Sequence, residues 1–576
     1  MTLILCIISI GVTGYRGEYG HNHPLQLVAV ERILNPQSYP NDPLADASFA
    51  YASLFWYLVA YASKVLDIAY VLAILFIVSK VLLIYAAFQV GRALFPQYVL
   101  AAVACAVLIA TPSYLYSPGN LAQGNTEQTI FAVGFLFLSL AAFVKREWWK
   151  WGVYLGVAAN MNFLYFMYGL SYYAAAWLVM EDKRRDYKRL ALSLLTAVLI
   201  STPALYLLLR AARQPVEDPK AVWMVAELTY PPYFFPNTIG ASWHVVFWLL
   251  IAVAWMLPLF RNLPISPVIA RMLRAWAFVA TGWYGLAWAA PFVFHSLLLM
   301  RLHPIRGIDL WYYAVSFIMA GMVASYIQSQ VDSRRRIFLA LALAGATLWQ
   351  YLLTSSLEMI ALTLGATLVG AEFIRQALKR LTARRGQTAL TYYGAILLIG
   401  GALVSAHAMR SRLLTFGHPI FIRYPEVKVV AEWARQNTPS DAVFLIPVHG
   451  QWRYFRYLSR RSVFVHLKDG DSWPYAPWHA AEWLRRMEQL GLFEVTGLNR
   501  HDYAIGKWIS IASSEWANPT ANYYELVSKQ IDDSRIQRLA RTYRIDYWIT
   551  FRETPTCYPV VYTHNAWKVV RVASAP

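Results

Sequence analysis

Long apolar runs alternate with short polar segments over the first 410 residues. Apolar runs of about 20 residues are long enough to cross a bilayer as helices. A first run at Thr2–Val12 and a second at 68–91 open the series, and the whole pattern predicts about thirteen spans. The other eleven predicted spans are 97–113, 129–144, 151–166, 168–181, 190–209, 245–260, 275–297, 310–328, 337–354, 356–373 and 389–409. Because the first run lacks a basic start or a cleavage site, it is interpreted as a span and not as a cleaved signal.

Clusters of Lys and Arg separate consecutive pairs of apolar runs. Basic residues concentrate on the cytoplasmic side of membrane proteins, so each pair is predicted to leave the cytoplasm and return. This orientation predicts a multi-pass protein of the cell inner (cytoplasmic) membrane, with a cytoplasmic N-terminus and everything after Arg410 outside. The clusters are Arg92, Lys145–Lys150, Lys183–Arg189, Arg261–Arg274, Arg334–Arg336 and Arg375–Arg385.

The aromatic run from Ser48 to Ser63 is shorter than a span needs to be. A span here would also place Lys145–Lys150 outside, against the charge rule. We therefore predict a helix lying at the outer interface over 48–63. Residues 14–63 then form one large outer loop, with a polar half and an interfacial helix, within a transmembrane domain of residues 1–410.

The composition agrees with a polytopic membrane protein, because 58% of residues are hydrophobic and only 14% are charged. The net charge of +19 does not indicate nucleic acid, since the basic residues fall in short clusters between apolar runs. The three cysteines are scattered, which excludes a disulfide framework and a cysteine zinc site. Lys80 falls inside the second span, where structural pairing is favoured over a substrate role.

The polar half of the first outer loop is rich in ionisable groups: Glu18, His21, His23, Glu31, Asp42 and Asp46, with Arg16 and Arg32. Loops that hold ionisable groups at a membrane surface are common places for chemistry. The alternative is a connecting loop whose charged side chains are simply exposed to solvent and have no functional role.

Three further outer loops carry candidate groups. Glu127 begins a predicted span, where it serves either the helix dipole or a site as a second carboxylate and metal ligand. The loop 210–244 holds Pro231, Pro232 and Pro236 among aromatics, and either lines a lipid-facing entry or rests on headgroups. The loop 299–309 carries Arg301, His303 and Arg306. These basic residues either bind an anion such as a lipid phosphate or pair with first-loop acids.

Residues 411–576 have the composition of an extracytoplasmic soluble domain. Predicted strands at Ala442–Pro447, Ser462–His466 and Asp546–Phe551 alternate with helices, and 558–573 reads as a hairpin. This pattern predicts a small α/β sandwich on a parallel sheet. No glycine-rich phosphate loop follows a strand, so no nucleotide site is predicted. Polar and aromatic residues do follow the first two strands: His449, Trp452, Arg453, Arg456, His466, Lys468, Asp469, Asp471 and Trp473.

These features together resemble the GT-C superfamily of membrane glycosyltransferases, and in architecture the catalytic subunit of oligosaccharyltransferase. The resemblance rests on first-loop acids in RGEYGHNHP and YPNDP, on GNTEQ before a later span, and on WARQNTPSDAVFLIPVHG in the soluble domain. The chain is also similar to uncharacterised bacterial members with a Tyr-Pro-Asn-Asp-Pro loop. The tryptophan-rich acceptor motif of the oligosaccharyltransferases is replaced by PVHGQW, which argues against glycosylation at the usual sequon.

The resemblance implies inverting transfer of a sugar from a polyprenyl-phosphate donor to a lipid, glycan or protein acceptor on the extracytoplasmic face. It implies Glu18 or Asp42 as the base, positioned with His21, His23 and Asp46. Arg301, His303 and Arg306 would hold the lipid phosphate. Glu127 would join a first-loop acid around a divalent cation, Mg²⁺ or Mn²⁺. The alternatives are a transporter or assembly partner for a lipid-linked or secreted polysaccharide, or a relative that binds lipid without turnover. The sequence specifies no oligomeric state.

Overall fold

The fold is seen in a computed structural model of the whole chain. The structure describes residues 2–13, 15, 17, 20, 22–51, 53–110, 124–180, 183–229, 231–256, 265–329, 425–448, 450–506, 508–509 and 523–572. The three predicted spans at 337–354, 356–373 and 389–409 lie outside these residues.

The N-terminal part of the chain, up to Ser329, is helical, and several of its helices coincide with the predicted apolar runs. Its helices are α1 (Thr2–Thr13), α2 (His23–Leu34), α3 (Pro43–Ala47), α4 (Leu54–Ala62), α5 (Ile68–Leu94), α6 (Val99–Ala110), α7 (Gln128–Val144), α8 (Trp148–Met161), α9 (Phe163–Val179), α10 (Lys183–Ile200), α11 (Thr202–Ala212), α12 (Pro219–Thr229), α13 (Ala241–Met256), α14 (Pro267–Phe292), α15 (Leu297–Arg301) and α16 (Asp309–Ser329). Side-chain caps begin several of them, because the first N–H groups of a helix lack partners within it. Asp67 accepts from the N–H of Ala69 at α5, and Asn162 from that of Leu164 at α9.

Two helical stretches of the described chain are long and apolar enough to cross a membrane, Ile68–Leu94 and Pro304–Tyr326. The bent pair Asp186–Ile200 and Thr202–Ala212, with a 57° angle, would make a third if it is one broken span. Four shorter apolar helices have 10–17 residues, so about thirteen spans stays a prediction. Lys80 is buried in α5, with its Nζ 5.1 Å from the ring centre of Phe76.

The first outer loop is more ordered than its charge density indicates. Its polar half contains α2, in which every residue from His23 to Val30 is buried. The range 48–63, predicted as one interfacial helix, is a 3-10 turn at Ser48–Tyr51 followed by α4. Phe55 and Trp56 of α4 belong to the same hydrophobic core as the long helices. Aromatic residues here are held by protein packing, and the position of the helix at a membrane surface stays a prediction.

The C-terminal part is built on a five-stranded sheet. Its strands are β1 (Val443–Leu445), β2 (Ser462–Val463), β3 (Tyr547–Phe551), β4 (Val560–His564) and β5 (Trp567–Arg571), in the order β2-β1-β3-β5-β4. β1 pairs in parallel with β2 and β3, whereas β5 is antiparallel to β3 and β4. The predicted parallel sheet is therefore mixed: a tight hairpin makes β4 and β5 antiparallel, and β5 also pairs antiparallel with β3. Its helices are α17 (Pro425–Asn437), α18 (Phe455–Ser459), α19 (Leu467–Gly470), α20 (Ala480–Gln489), α21 (Leu492–Thr496), α22 (Tyr523–Lys529) and α23 (Asp533–Thr542).

Helix α12 lies inside the core of the C-terminal part. Its residues Ala221–Leu228 share one hydrophobic cluster with residues of the sheet and of α20. The carboxylate of Glu227, which is fully buried, accepts from the hydroxyl of Tyr503 (2.6 Å) and the N–H groups of Gly506 (2.7 Å) and Trp508 (2.8 Å). The loop 210–244, predicted to line a lipid entry or rest on headgroups, thus supplies a core helix of the C-terminal part.

Candidate active site

A cavity of about 110 Å³ lies where the first outer loop, the start of α7, the loop before α16 and the C-terminal domain meet. It combines cations (Arg306 and Lys468), acids (Glu127 and Asp471), amides and a set of aromatic rings. The sequence distributes these groups over more than 450 residues, from Asn22 to Tyr475. This is the place in the described chain where the predicted outer-loop chemistry converges.

Glu127 enters the cavity from the N-terminus of α7. Its Oε1 accepts from the side-chain amides of Asn22 (3.2 Å) and Asn125 (3.1 Å). Glu127 occupies the N-cap position, but its side chain makes no capping hydrogen bond. The helix-dipole role that the sequence allowed is compatible with this position, but the hydrogen bonds that orient the carboxylate come from the two amides. Within the described residues it has amide donors and no ion-pair partner.

Arg306 faces the cavity from the loop before α16. Its guanidinium carbon lies 4.4 Å from the ring centre of Tyr233, a cation–π contact. Its main electrostatic neighbours are the hydroxyls of Tyr165, Tyr233 and Tyr475. Its Nε is buried without a hydrogen-bond partner among the described groups. A guanidinium held by rings and phenols keeps its bidentate donor capacity for an anion.

The loop that carries Arg306 is braced by three tyrosines of α9. Tyr165, Tyr168 and Tyr172 lie on one face of the helix, at positions i, i+3 and i+7. Tyr168 donates to the carbonyls of Leu302 (2.6 Å) and His303 (3.0 Å), and Tyr172 to that of Gly307 (2.9 Å). Tyr165 donates to Asp309 at 2.9 Å. These bonds fix the backbone on which His303 and Arg306 are presented.

His303 has an unusual backbone and an unusual environment. It adopts φ 45° and ψ 58°, a left-handed conformation, immediately before Pro304. Strained residues of this kind cluster at functional sites. Its ring lies 4.6 Å from that of Phe234, centre to centre. Burial, and then the charges of Arg306 and Arg301, hold the pKa of His303 well below its usual value, so the ring is neutral.

The C-terminal domain contributes the opposite wall. Lys468 donates to Asp471 (2.5 Å) and to the Oδ1 of Asn22 (3.2 Å), which links the domain to the first loop. Trp473 and Tyr475 follow on the same segment and line the cavity. Burial, the largest cause, and the nearby Glu127 raise the pKa of Tyr475, while Arg306 opposes the shift. Tyr475 therefore remains a neutral phenol.

Asp42, one of two predicted bases, lies in a buried ion triad away from the cavity lining. Its Oδ2 accepts from Arg456 Nε (2.6 Å) and from the N–H of Val463 (2.9 Å). Its Oδ1 accepts from the N–H groups of Leu44 (3.1 Å) and Ala45 (3.2 Å), capping α3. Arg456 in turn makes a bidentate pair with Asp469 at 2.9 and 2.7 Å. All these groups are buried, so the triad fastens the first outer loop to the C-terminal domain.

The other predicted site residues lie at the margins or away from the cavity. His23 is fully buried, and its Nε2 donates to the carbonyl of Thr126 while Nδ1 accepts from Gly20. Asp46 is 63% exposed and pairs with Arg32 at 2.7 Å. Arg301 donates from Nε to the carbonyl of Pro474 at 2.8 Å. Glu18 and His21 lie outside the described residues, so their predicted roles stay predictions.

The divalent cation expected from the sequence lacks a ligand set in the described chain. Among those residues, no group of three or more His, Cys, Asp or Glu side chains could hold a metal ion. Glu127 and Asp471 both line the cavity, but Asp471 is already paired with Lys468. The described residues therefore do not fit a metal centre.

Sequence reasoning missed part of the cavity wall. Asn22, Tyr233, Phe234 and Tyr475 were not singled out, although all of them line the cavity. A signal was present in the runs YPPYFFP and WPY, where aromatic residues next to prolines occur in outer segments. Aromatic residues with adjacent polar groups commonly line ligand sites.

The fold and site define a helical protein with at least two helices of membrane-spanning length, a C-terminal sheet domain, and a charged and aromatic cavity between the two. A family model described as "Domain of unknown function (DUF6798)" matches residues 425–490, which include α17 to α20. No curated protein sequence matches the chain.

Two solved structures similar to this chain are of the oligosaccharyltransferase of the archaeon Archaeoglobus fulgidus. One, a complex with Zn and sulfate, has 13% identity and a TM-score of 0.37, and the match covers 96% of this chain and 67% of that one. The other, AglB with an inhibitory peptide and a dolichol-phosphate, has 13% identity and a TM-score of 0.38, covering 96% and 69%.

Proposed function

We propose that the cavity is the active site of an integral-membrane glycosyltransferase. It moves a sugar from a polyprenyl-phosphate donor to a lipid, glycan or protein acceptor on the extracytoplasmic face. The observation that carries the proposal is that Glu127 and Arg306 line one cavity, and neither has an ion-pair partner among the described residues. A carboxylate and a guanidinium without ion-pair partners, lining the same small space, can supply the base and the positive charge for transfer from a phosphate.

Arg306 binds the phosphate of the donor in this proposal. The guanidinium offers two parallel donors to phosphate oxygens, and the phenols around it add neutral hydrogen-bonding groups. Lys468 adds positive charge, although Asp471 already neutralises much of it. As the sugar leaves, negative charge develops on the phosphate, and a fixed guanidinium stabilises that charge more than it stabilises the bound donor.

Glu127 is the proposed base, because the other acids of the site are committed to partners. Asp42 accepts four hydrogen bonds in its buried triad, and Asp471 pairs with Lys468. Glu127 receives only amide donors, so a carboxylate oxygen remains for an acceptor hydroxyl. The hydroxyl oxygen attacks the anomeric carbon and its proton passes to Glu127. The bond from the anomeric carbon to the phosphate oxygen breaks, and its electron pair leaves with the lipid phosphate. Because the hydroxyl attacks from the face opposite the phosphate, the configuration at the anomeric carbon is inverted.

Glu18 remains a second candidate for the base, with His21 beside it in sequence. The proposal includes about thirteen spans and an orientation that places the site on the extracytoplasmic side of the inner membrane. Nucleotide sugars are absent on that side, so the donor there is linked to a lipid. The proposed reaction uses Glu127 and Arg306 and does not involve a metal ion.

The test is sugar transfer in membranes supplied with a panel of polyprenyl-phosphate sugars. We expect Glu127→Gln to lower the transfer rate by about 100-fold or more, as removal of a general base does. Glu147→Gln, a matched change at a surface pair with Lys150, leaves the rate unchanged. A Glu18→Gln variant reports on the alternative base. If Glu127→Gln transfers sugar at the wild-type rate and Glu18→Gln does not transfer sugar, then Glu18 is the base.

The competing function is binding of a lipid-linked sugar without turnover, as in a transporter or assembly partner. It is favoured by the same Arg306 environment, which needs only an anion. In the assay above, donor binding without transfer by the wild type, across the whole panel and with acceptors of all three classes, would establish this alternative.

A further inference from the structure

Two buried polar side chains of the cavity have no hydrogen-bond partner among the described residues. His303 is 5% exposed, and both of its ring nitrogens are unpartnered. Trp473 is fully buried, and its indole Nε1 is unpartnered. Buried polar groups are nearly always hydrogen-bonded, so two unpartnered groups that line one cavity are candidates to bind a ligand there.

Phe234 lies between these two groups. Its ring centre is 4.6 Å from that of His303 and 4.4 Å from that of Trp473. The three rings form a continuous apolar wall with hydrogen-bonding atoms on either side of a phenyl ring. Tyr475 extends the wall, with its ring centre 6.3 Å from that of His303.

The protonation state of His303 restricts the kind of ligand. Burial and the nearby Arg306 and Arg301 hold the pKa of His303 low, so the ring presents one donor and one acceptor. A phosphate dianion has only acceptors and cannot satisfy the acceptor nitrogen. A hydroxyl group can satisfy either nitrogen, and another hydroxyl can accept from Trp473.

The lining of the cavity suits a sugar ring. Its volume of about 110 Å³ is well above the roughly 10–15 Å³ that one water molecule needs. A pyranose presents an apolar C–H face to an aromatic ring and carries hydroxyls at its rim.

We propose that Phe234, His303 and Trp473 form the subsite for the neutral pyranose of the donor, next to the phosphate position at Arg306. The pyranose packs against the aromatic wall where Tyr475 extends it, and its hydroxyls bond to His303 and Trp473. This inference rests on the proposed function, and it assigns His303 to the sugar instead of the phosphate. Sugars with a different arrangement of these hydroxyls bind less tightly, so His303 and Trp473 determine which donor is used.

The experiment is calorimetric titration of the purified full-length protein with soluble probes. The probes are the 1-phosphates of glucose, galactose, mannose and N-acetylglucosamine, with inorganic phosphate as the reference. We expect at least one sugar phosphate to bind about 10-fold more tightly than inorganic phosphate, the equivalent of one or two hydrogen bonds. His303→Phe and Trp473→Phe keep the rings but remove the nitrogens, and each should abolish this preference without changing the affinity for inorganic phosphate.

Two controls separate recognition from folding. Trp452→Phe removes another unpartnered buried indole N–H, in the sheet core outside the cavity, and should keep the full preference. His303→Asn keeps a donor and an acceptor and tolerates the left-handed backbone, so it should retain most of the preference. Loss of the preference in His303→Asn as well as in His303→Phe would indicate a distorted loop and overturn the recognition role.

The outcomes distinguish this subsite from the proposed function. An undiminished preference in His303→Phe and Trp473→Phe, or no preference in the wild type, overturns the subsite and leaves the phosphate site standing. Phosphate binding that is unchanged in Arg306→Gln, or is absent from the wild type, overturns the proposed phosphate site itself.

Discussion

The buried triad of Asp42, Arg456 and Asp469 gives the sharpest structural prediction. It carries two carboxylates and one guanidinium, all nearly inaccessible to water. Asp42→Asn removes the charged acceptor of Arg456 Nε and of the Val463 N–H, but leaves the bidentate pair with Asp469. Arg456→Met leaves two buried carboxylates without a cation. Removing one partner of a buried pair costs about 3–5 kcal/mol, whereas hydrogen bonds to charged groups contribute about 1.5–3 kcal/mol each.

These values set an order for the two variants. We expect Asp42→Asn to destabilise the docked loop by about 2 kcal/mol, and Arg456→Met by about 4 kcal/mol. A change of about 1.4 kcal/mol is tenfold in an equilibrium constant. Amide exchange in the segments 39–47 and 455–470 should therefore accelerate by roughly 30-fold in Asp42→Asn and roughly 1,000-fold in Arg456→Met.

Hydrogen–deuterium exchange of the full-length protein measures this directly. Lys428→Gln is the matched control, because it breaks an exposed pair with Glu432, and exposed pairs contribute at most about 1 kcal/mol. If the amides of segments 39–47 and 455–470 exchange equally slowly in Arg456→Met and in the wild type, the triad does not hold the loop against the C-terminal domain. Normal protection in Asp42→Asn with loss of sugar transfer would return Asp42 to the catalytic role that the sequence favoured.

Two further predictions follow from single residues. Burial holds the pKa of His479 at about 4, and its Nδ1 lies 2.8 Å from Ser472 Oγ. Because this pKa is depressed on folding, the unfolded chain binds more protons between about pH 6.5 and 4, and stability is lost as the pH falls through that window. Thermal unfolding at pH 7.5 and 4.5 should show that His479→Gln removes part of this loss, up to about 3 kcal/mol, and an identical pH dependence in the variant would contradict the assignment. Gly152 of α8 packs against the backbone of Ser193 in α10, with no room for a Cβ. Gly152→Ala should lower the free energy of unfolding by about 1–3 kcal/mol. An unchanged melting temperature would contradict the close contact between α8 and α10.

The helices were the most predictable part of the fold. The predicted span 129–144 is α7, Gln128–Val144, and the predicted strand 546–551 is β3, Tyr547–Phe551. Length and apolar continuity specify such elements locally, since a chain segment must bury its apolar face whatever its partner. The last hairpin was likewise visible from its alternating pattern and turn residues.

Tertiary partners were not predictable in the same way. The sequence of α12 is amphipathic, but nothing local states that it enters the core of a domain that begins two hundred residues later. The loop was interpreted from Pro231, Pro232 and Pro236, which all follow the helix. Asp42 shows the same limit, because charge density marks a loop as unusual but does not reveal an ion pair with Arg456, 414 positions away.

Of the predicted site residues, Glu127, His303 and Arg306 line the cavity, and their roles stay a proposal. They were identified because ionisable groups in predicted outer loops are unusual against an apolar chain. Phe234 and Tyr475 were not, since aromatic residues are common throughout this sequence and only the fold separates a cavity wall from a membrane belt.

Arg306 tests the central claim most directly. The measurement is the rate of sugar transfer and the affinity for inorganic phosphate in Arg306→Gln, with the exposed Arg541→Gln as the matched control. The account predicts that Arg306→Gln loses phosphate affinity and at least about 100-fold in transfer, while Arg541→Gln behaves as the wild type. Normal transfer by Arg306→Gln, in a wild-type protein that turns over, would contradict the assignment of this cavity as the active site.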